Sequence, residues 1–574
     1  MTRAMLRRFA SMGVFGMVLV FSAGLGAGKA TGQSAGGGAV TASATRPARG
    51  ASTRPAAAAP AGALLLWAWV DAPDANAANA AARQLVAAGA DVDSAVAWLR
   101  AGRPGRKVAK RDSPWETFQV RGADGKKRTH VLRVPASFDG YDQRHPLVVE
   151  LHGGVSYPKP RPTEQMRETD YAFGGGLMDK AFYLQPKGTS QAMWFDPVGS
   201  DNVLKGIREV CRRYPIDTNR IYLGGFSDGG HGAYYFSAAH PTPFAGFLPL
   251  NGFPLLAQSK GLQMHLRNMT NKPMYVVATG KDFYPLNVIQ ATVDMLKKLG
   301  APLEYRLYKQ MPHAPLYLTE DNELPRITRW LKRTVREPYP RELVWETADL
   351  QRLAGLHWLR IERIGQVGNN HPFPDVNATA GGGRVRLGIH VDADFQGKGV
   401  RVERLAETYI AKAIGIRPGD VIVGIDAKPI ATREDLQKIL AGKSHDDPIR
   451  VTVARRGGKS LPLIGRFPPD NRRRAFPRSQ PYGSIRARRS GNRFDVRVQN
   501  VEVFKLLLGP EMVNFAEPVT VTVNGETVFE KKVTPSLATA LRWARRLADP
   551  AQVYTAELSI EVPPAEPTAD RFED

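Results

Sequence analysis

The chain has 574 residues, of which 79 are Lys or Arg and 55 are Asp or Glu, so its formal net charge is +24. The length suggests several domains, and 43% hydrophobic with 23% charged residues is ordinary for globular proteins. The single cysteine, Cys211, excludes an intrachain disulfide, so the fold must rest on burial. The basic residues are scattered and accompany no nucleic-acid-binding motif, so we predict no nucleic-acid partner.

The first 30 residues have the pattern of a secretory signal peptide. Arg3, Arg7 and Arg8 precede an apolar core from Gly13 to Phe21, and small residues follow. This apolar run is shorter than the roughly 20 residues that a membrane-spanning helix needs. We therefore expect cleavage, no stable membrane span, and a secreted or periplasmic protein. Residues 31–60, rich in Ala, Gly, Ser, Thr and Pro, predict a flexible linker.

Residues 61–105 favour helices. One helix is predicted at Asn76–Ala88 and a second at Val92–Ala101. Gly89 can end the first helix in a left-handed conformation, and Asp91 can cap the second. Such a pair would serve either as a cap over the following domain or as a tether to it.

An apolar strand predicted at Pro146–Leu151 ends in His152-Gly153-Gly154. Backbone amides at such a position form half of the oxyanion hole in enzymes that attack a carbonyl carbon from a nucleophile elbow. We therefore expect Gly153 or Gly154 to donate one N–H group to a reacting oxygen. His152 is expected to support this loop.

The segment Gly225-Phe226-Ser227-Asp228-Gly229 has the pattern G-x-S-x-G. The apolar run Arg220–Gly224 before it predicts a buried strand, and the small residues Gly230–Ala239 after it are compatible with a helix. Strand, sharp turn and helix make a nucleophile elbow, which predicts Ser227 as the nucleophile and the Asp228 amide as the second oxyanion donor. The alternative is a glycine turn that holds a serine by chance.

An acid and a histidine follow in the order that this elbow requires. The apolar strand at Lys272–Thr279 leads to Asp282, and a helix (Asn287–Leu299) and a strand (Leu303–Tyr308) lead to His313. His313 is predicted as the general base, and Asp282 as the group that orients it. The rival acids are Asp228 and Glu304; the histidines assigned structural roles are His152, His231 and His240.

Residues 128–336 resemble the α/β-hydrolase fold, and more narrowly the group of secreted esterases, depolymerases and prolyl-oligopeptidase-like enzymes. The likeness lies in Thr129–Pro135, His152-Gly153-Gly154, Ile216–Tyr222 and Gly280-Lys281-Asp282. It implies a mostly parallel sheet flanked by helices, in a catalytic domain at 112–336. The chain departs from the group at Pro312, where a glycine usually precedes the catalytic histidine.

Two segments after the hydrolase pattern, 340–383 and 480–563, predict one β-sandwich-like domain. Alternating runs include Gly355–Ile361 and Arg493–Val498, and Asn524-Gly525 predicts a tight hairpin. Its role is either to hold substrate or to pack on the hydrolase. Residues 467–479 are interpreted as a basic, solvated linker, and residues 564–574 as a tail.

Residues 384–466 resemble a PDZ domain of the bacterial type, most specifically at Gly415–Asp420 and the apolar strand that follows. The resemblance implies that the amides of Leu387, Gly388 and Ile389 bind the C-terminal carboxylate of a peptide, which would add as a strand. The alternative is a spacer, or a domain docked on its own chain.

Together these patterns predict a multidomain serine hydrolase that cleaves carboxylic esters through an acyl-serine intermediate. A serine peptidase of the prolyl-oligopeptidase-like type is the second candidate, because the same triad serves both reactions. A third is a non-catalytic scaffold that presents the PDZ and β-domains. No zinc-ligand spacing and no phosphate-binding glycine loop occur, so we expect no metal ion or organic cofactor.

Overall fold

The computed structural model describes residues 60–105, 111–168, 173, 177, 179–260, 262–365, 373, 376–380, 385–406, 409–455, 460–469 and 473–564. The predicted signal peptide, residues 31–59 of the predicted linker and residues 565–574 of the predicted tail lie outside the described residues. Within the part described, no helix combines the length and the apolar character needed to cross a membrane.

Three helices open the described chain: α1 (Ala61–Val70), α2 (Ala75–Ala87) and α3 (Val92–Ala101). Asp91 caps α3 in a capping box, and Gly89 has a φ of 76°, so the local signals at both positions act as the sequence predicts. The sequence does not predict α1. Its residues are almost all apolar, so they show no helical period by which it could be recognised.

A sheet of eight described strands forms the hydrolase domain. Strands β1 to β8 span Trp115–Arg121, Lys127–Arg133, His145–Glu150, Phe182–Pro186, Ile216–Phe226, Gly246–Leu250, Met274–Lys281 and Leu303–Pro312. Their order is β1-β2-β4-β3-β5-β6-β7-β8; β1, β2 and β4 pair antiparallel, and the strands from β4 to β8 pair parallel. The predicted α/β-hydrolase architecture is confirmed.

Successive residues of the central strands pack into different cores on the two faces of this sheet. Leu147, Val149 and Leu223 belong to one core, whereas Val148 and Tyr222 belong to the other. The helices of this domain are α4 (Thr163–Glu168), α5 (Pro197–Arg213), α6 (Asp228–Ala239), α7 (Leu256–Ser259), α8 (Leu286–Lys298) and α9 (Glu323–Arg333). The parallel strands therefore direct their carboxyl ends to one shared edge of a sheet that is buried on both faces.

The rest of the chain contributes further strands and helices. Strands β9 to β25 span Glu342–Thr347, Gly355–Leu356, Leu359–Ile364, Thr379–Ala380, Ile389–Val391, Val400–Leu405, Val421–Ile425, Lys428–Pro429, Pro448–Ala454, Ser460–Arg466, Arg473–Arg474, Gly483–Ser490, Arg493–Gln499, Val501–Leu508, Val519–Val523, Glu526–Lys531 and Ala556–Glu561. Helices α10 to α12 span Ile410–Ala413, Arg433–Ala441 and Leu537–Leu547.

Two sheets with a common core make the β-domain. Their strand orders are β24-β23-β21-β20-β9 and β10-β11-β22-β25, and Trp345, Trp358 and Phe494 lie in the core. Strand β9 pairs with β20 and β11 with β22, so segments from before and after the insertion form the same sheets. The C-terminal region is a β-domain interrupted by a PDZ domain, as predicted.

The inserted PDZ domain has its own sheet and its own core. Its strands lie in the order β13-β14-β15-β17-β18, with Val402, Ile425 and Val451 buried at the centre. The Arg455 guanidinium donates to both carboxylate oxygens of Asp420 at 2.8 and 2.7 Å, which closes the turn that the sequence singled out. The domain therefore has the internal contacts to hold its shape.

A two-stranded ribbon leads into and out of the PDZ domain. Strands β12 and β19 pair antiparallel, and Val376, Ala378, Ala475 and Phe476 beside them are buried in the hydrolase core. This differs from the expectation that 467–479 is a solvated linker and that residues up to 383 belong to the β-domain. Apolar side chains between the basic ones anchor this stretch on the hydrolase.

The N-terminal helices pack on α12 of the C-terminal region. Leu66 and Leu99 share a core with Leu541 and Ala544. A cavity lined by Trp67, Cys211 and Ile216 separates the helical segment from the start of β5, the end opposite Ser227. The segment therefore lies away from Ser227 and does not cover it. Burial raises the pKa of the Cys211 thiol to about 12, which makes this cysteine a poor nucleophile.

Glu346 of β9 joins the β-domain to the hydrolase. Its carboxylate is 1% exposed and accepts from Arg267 at 2.9 Å and from Arg478 at 3.2 Å, with His265 at 3.5 Å. Burial by itself raises the pKa of Glu346, but His265 and the two arginines outweigh it and hold that pKa below its usual value. The ionised carboxylate therefore stabilises this interface.

Glu346→Ala should lower the melting temperature strongly, because removing one partner of a buried ion pair typically costs about 3–5 kcal/mol. The matched control is Glu342→Ala on the same strand, whose exposed pairs with Arg486 and Arg488 contribute about 0–1 kcal/mol. The folded-state pKa of Glu346 is depressed, so its contribution is present above about pH 4.3 and is lost as pH falls through the folded pKa. Equal melting temperatures of the two variants at pH 7 would contradict this assignment.

Candidate active site

Ser227 stands at the sharp turn between β5 and α6. Its backbone has φ 61° and ψ −120°, a strained combination for a residue with a side chain. A Cβ on either Gly225 or Gly229 would overlap the carbonyl oxygen of Leu151, the residue that directly follows β3. Both outer glycines of the motif are therefore required by close packing, and the turn projects Ser227 at the carboxyl edge of the sheet.

Ser227, His313 and Asp282 lie in one hydrogen-bonded line. His313 Nε2 is 3.0 Å from Ser227 Oγ, and His313 Nδ1 is 2.7 Å from Asp282 Oδ2. The Asp282 carboxylate can only accept, so Nδ1 carries the proton and the Nε2 lone pair faces the serine hydroxyl. The structure thus brings together the three side chains that the sequence singled out, in a geometry that would allow a proton to pass from serine to histidine.

Asp282 is anchored by donors from three elements. Asn251 Nδ2 donates to Oδ2 at 2.9 Å, the Tyr284 amide donates to Oδ1 at 3.0 Å, and the Thr279 hydroxyl lies 3.3 Å from Oδ2. Burial raises the pKa of Asp282, but His313 and these donors outweigh it and keep the pKa below its usual value. Sequence reasoning missed Asn251. Its position directly after β6, at the same sheet edge, is the signal that could have found it.

Aromatic rings enclose His313. The ring centroids of Phe226, Phe283 and Tyr284 lie 4.8, 4.4 and 5.6 Å from that of His313. Tyr284 is in turn held by His231, whose Nδ1 accepts from the Phe253 amide at 2.7 Å and whose Nε2–H donates to the Tyr284 hydroxyl at 2.8 Å. Burial lowers the pKa of His231 to about 3, so this histidine is neutral and supports the site without titrating.

The loop His152-Gly153-Gly154 lies against Ser227. A Cβ on Gly153 would be 3.1 Å from the Ser227 Cβ, whereas one on Gly154 would approach Tyr157 and Arg161 instead. His152 Nδ1–H donates to the Gly153 carbonyl at 2.8 Å, and its Nε2 accepts from the Gly188 amide at 3.1 Å. Burial lowers the pKa of His152 to about 3, so the ring stays neutral and holds the loop in place.

Asp228 connects the turn at Ser227 to the loop that carries Gly153. Its carboxylate accepts from the Val155 amide at 2.8 Å and lies 3.5 Å from His231 Nε2. The side chain is therefore committed to the loop that carries Gly153, which removes it as an alternative acid partner for His313. Glu304, the other rival, binds Arg333 away from the site.

The predicted carboxylate loop of the PDZ domain comprises Leu387, Gly388 and Ile389. Carbonyl groups of Leu387 and Gly388 accept from the Ala411 and Ala406 amides at 2.9 and 2.8 Å, while the amides of Leu387 and Gly388 have no acceptor among the described residues. Ile389 follows in β13, which lies at the edge of its sheet.

Arg386, the residue before this loop, donates to the Phe283 carbonyl at 3.2 Å. Phe283 follows Asp282 directly and its ring packs on His313. One hydrogen bond, from Arg386 to the Phe283 carbonyl, therefore links the PDZ domain to the serine site, although the two belong to different domains.

Comparison with known protein families identifies the same two domains. Residues 186–322 match the phospholipase/carboxylesterase family, and residues 385–462 match the PDZ domain family. The chain contains an α/β-hydrolase domain and a PDZ domain. No curated protein matches the chain in sequence.

Three solved structures illustrate the similarity. A thermostable esterase is 22% identical over 39% of this chain and 64% of its own, with a TM-score of 0.33. An acylaminoacyl peptidase in complex with Z-Gly-Gly-Phe-chloromethyl ketone is 15% identical over 39% of this chain and 42% of its own, with a TM-score of 0.31. S-formylglutathione hydrolase from Staphylococcus aureus is 16% identical over 38% and 98%, with a TM-score of 0.29. The chain spans less than two thirds of the length of the first two.

Proposed function

We propose that the protein is a secreted or periplasmic serine hydrolase that cleaves carboxylic esters through an acyl-Ser227 intermediate. The observation that carries the proposal is the hydrogen-bonded line from Ser227 through His313 to Asp282 at a strained strand-to-helix turn. Export rests on the signal-peptide pattern in residues 1–30.

The geometry supports a two-step acyl transfer. His313 Nε2 takes the proton of Ser227 as Oγ attacks the carbonyl carbon, and returns it to the departing alkoxide. Asp282 stabilises the imidazolium that forms. Amides of the Gly153-Gly154 loop and of Asp228, at the start of α6, are the donors for the negatively charged oxygen. Water then attacks the acyl-enzyme with His313 as base, and Ser227 is regenerated.

Esters are the first choice of substrate because residues 186–322 match the phospholipase/carboxylesterase family. The peptidase alternative uses the same three side chains and differs in the leaving group. The scaffold alternative leaves the strained Ser227 backbone and the aligned proton path without a purpose, since strain of this kind typically costs about 1–3 kcal/mol.

A fluorophosphonate probe and a substrate panel test the proposal. The protein should be labelled stoichiometrically and should hydrolyse p-nitrophenyl esters faster than aminoacyl-naphthylamides, as compared by kcat/KM. A higher kcat/KM on the amides would select the peptidase alternative. Absence of both labelling and turnover would leave the scaffold alternative.

The PDZ domain is proposed to recruit a partner or a large substrate through a C-terminal carboxylate. Removing it should leave small-ester hydrolysis nearly intact, because it has its own core and Ser227, Asp282 and His313 lie outside it. Ala380 and Arg473 face each other in the β12–β19 ribbon, so the chain can be closed there by an Asn-Gly turn.

In this excised variant kcat/KM for p-nitrophenyl butyrate should fall by no more than about fivefold, the value of one neutral hydrogen bond. Arg386→Ala is the matched control, because it removes only the contact with Phe283. If excision abolishes probe labelling while Arg386→Ala does not, the PDZ domain is a structural part of the hydrolase.

A further inference from the structure

Among the described residues, two cations on the oxyanion side of Ser227 have no carboxylate partner. The Arg161 guanidinium donates through Nη2 to the Gly153 carbonyl at 2.8 Å and packs on Gly154. Lys187 is only 9% exposed, and its Nζ donates to the Thr163 hydroxyl at 2.7 Å. Neither group is within ion-pair distance of a carboxylate among the described residues.

The topology places both groups at the same corner. Lys187 directly follows β4, and His152 stands just beyond the end of the adjacent parallel strand β3. Thr163, which accepts from Lys187, is two residues from Arg161. The pKa of His152 is lowered mainly by burial and further by the charges of Arg161 and Lys187, which shows that both charges act on this one loop.

No carboxylate of the described residues neutralises these charges by direct contact. Burial lowers the pKa of Arg161 while Glu150 and Asp228 raise it from a distance, and the Asp228 carboxylate is committed to the Val155 amide. Burial also lowers the pKa of Lys187, which Glu164 raises and Arg167 lowers. A partly buried cation without a counter-ion is unfavourable, and a bound anion relieves that cost.

We propose that Arg161 and Lys187 form a subsite for a carboxylate of the substrate, so that the preferred substrates are anionic esters with a free carboxylate near the scissile bond. This inference rests on the proposed function and narrows its substrate class. The planar guanidinium suits a carboxylate because it can donate two parallel bonds, and the lysine adds a point charge. Since the guanidinium also binds the Gly153 carbonyl, an occupied subsite places the ester against the oxyanion loop.

The test compares matched neutral and anionic esters. For a carboxylate on the acyl side the pair is mono-4-nitrophenyl succinate and 4-nitrophenyl butyrate. For one on the alcohol side the pair is 4-acetoxybenzoate and its methyl ester. In at least one pair the anionic ester should have the higher kcat/KM by about 10- to 100-fold, the range expected for charge-assisted hydrogen bonds. The preference should shrink as ionic strength rises.

Lys187→Gln and Arg161→Gln should each reduce this anionic-to-neutral ratio about tenfold or more. Lys205→Gln is the control, because Lys205 lies on α5 and pairs with Asp201 away from the site; the ratio should not change. A wild-type ratio near one in both pairs, or a ratio that neither variant alters, overturns the inference. An equal loss on both esters in Arg161→Gln would show that this arginine only props the loop. If the wild type hydrolyses none of the four esters, the proposed function itself fails.

Discussion

Ser227→Ala should abolish ester hydrolysis and fluorophosphonate labelling, with a loss of roughly 10⁴–10⁶ in kcat. The structural reason is that Ser227 Oγ is the hydroxyl in line with His313 and Asp282. Turnover at the wild-type rate by this variant would remove Ser227 from the mechanism.

Ser237→Ala is the matched control for that loss. Ser237 lies on the same helix, is buried, and donates to the Tyr234 carbonyl at 2.7 Å without touching His313. It should keep both labelling and turnover. Ser227→Gly offers a second check, because glycine relieves the positive φ that alanine would retain. The Gly variant should be inactive and yet melt no lower than Ser227→Ala.

The elbow and its partners could be predicted because their signals are local. Glycines at 225 and 229 are needed for one backbone approach, and the acid and base follow successive strands whose carboxyl ends share an edge. The fold class followed from the resemblance of residues 128–336 to the α/β-hydrolase fold. The catalytic roles of Ser227, Asp282 and His313 are predictions, which the Ser227 and Asp282 variants test.

Other features depend on contacts between segments that are distant in sequence, and no local sequence pattern predicts them. Helix α1 packs Leu66, Trp67 and Val70 against α2, α3 and α12, but its exposed residues are apolar too, so no helical period marks the buried face. Residues 473–476 look like a basic linker until Phe476 is seen in the hydrolase core. Arg161 is one of many arginines in this basic chain. Its hydrogen bond to the Gly153 carbonyl distinguishes it, and the sequence does not show that bond.

The PDZ domain contacts the hydrolase domain next to Asp282. Arg386 precedes the predicted carboxylate loop and holds the Phe283 carbonyl, while α8, which the β12–β19 ribbon contacts, begins just after the Asp282 loop. The Arg386 side chain and the β12–β19 ribbon therefore both contact the part of the chain that follows Asp282. This arrangement explains why excision of the domain is best compared with Arg386→Ala.

Asp282→Asn should lower kcat by roughly 10⁴-fold while the protein remains folded. Donors point at both oxygens of residue 282: Asn251 and His313 at Oδ2, and the Tyr284 amide at Oδ1. An asparagine has one oxygen, so its NH₂ group must face a donor in either orientation. With the NH₂ group toward His313, the imidazole must carry its proton on Nε2, where it cannot accept from Ser227. With the NH₂ group toward the Tyr284 amide, the imidazole keeps its tautomer but loses the negative charge that stabilises the imidazolium.

The control for Asp282→Asn is Glu304→Gln, which neutralises the rival acid at its surface pair with Arg333. It should leave kcat unchanged within about twofold, as expected for an exposed ion pair of small energetic value. Measuring kcat of both variants on one ester at saturating concentration shows which of the two carboxylates the reaction needs. If Glu304→Gln loses activity and Asp282→Asn retains it, the orientation of His313 depends on a carboxylate other than the one at 2.7 Å from its ring.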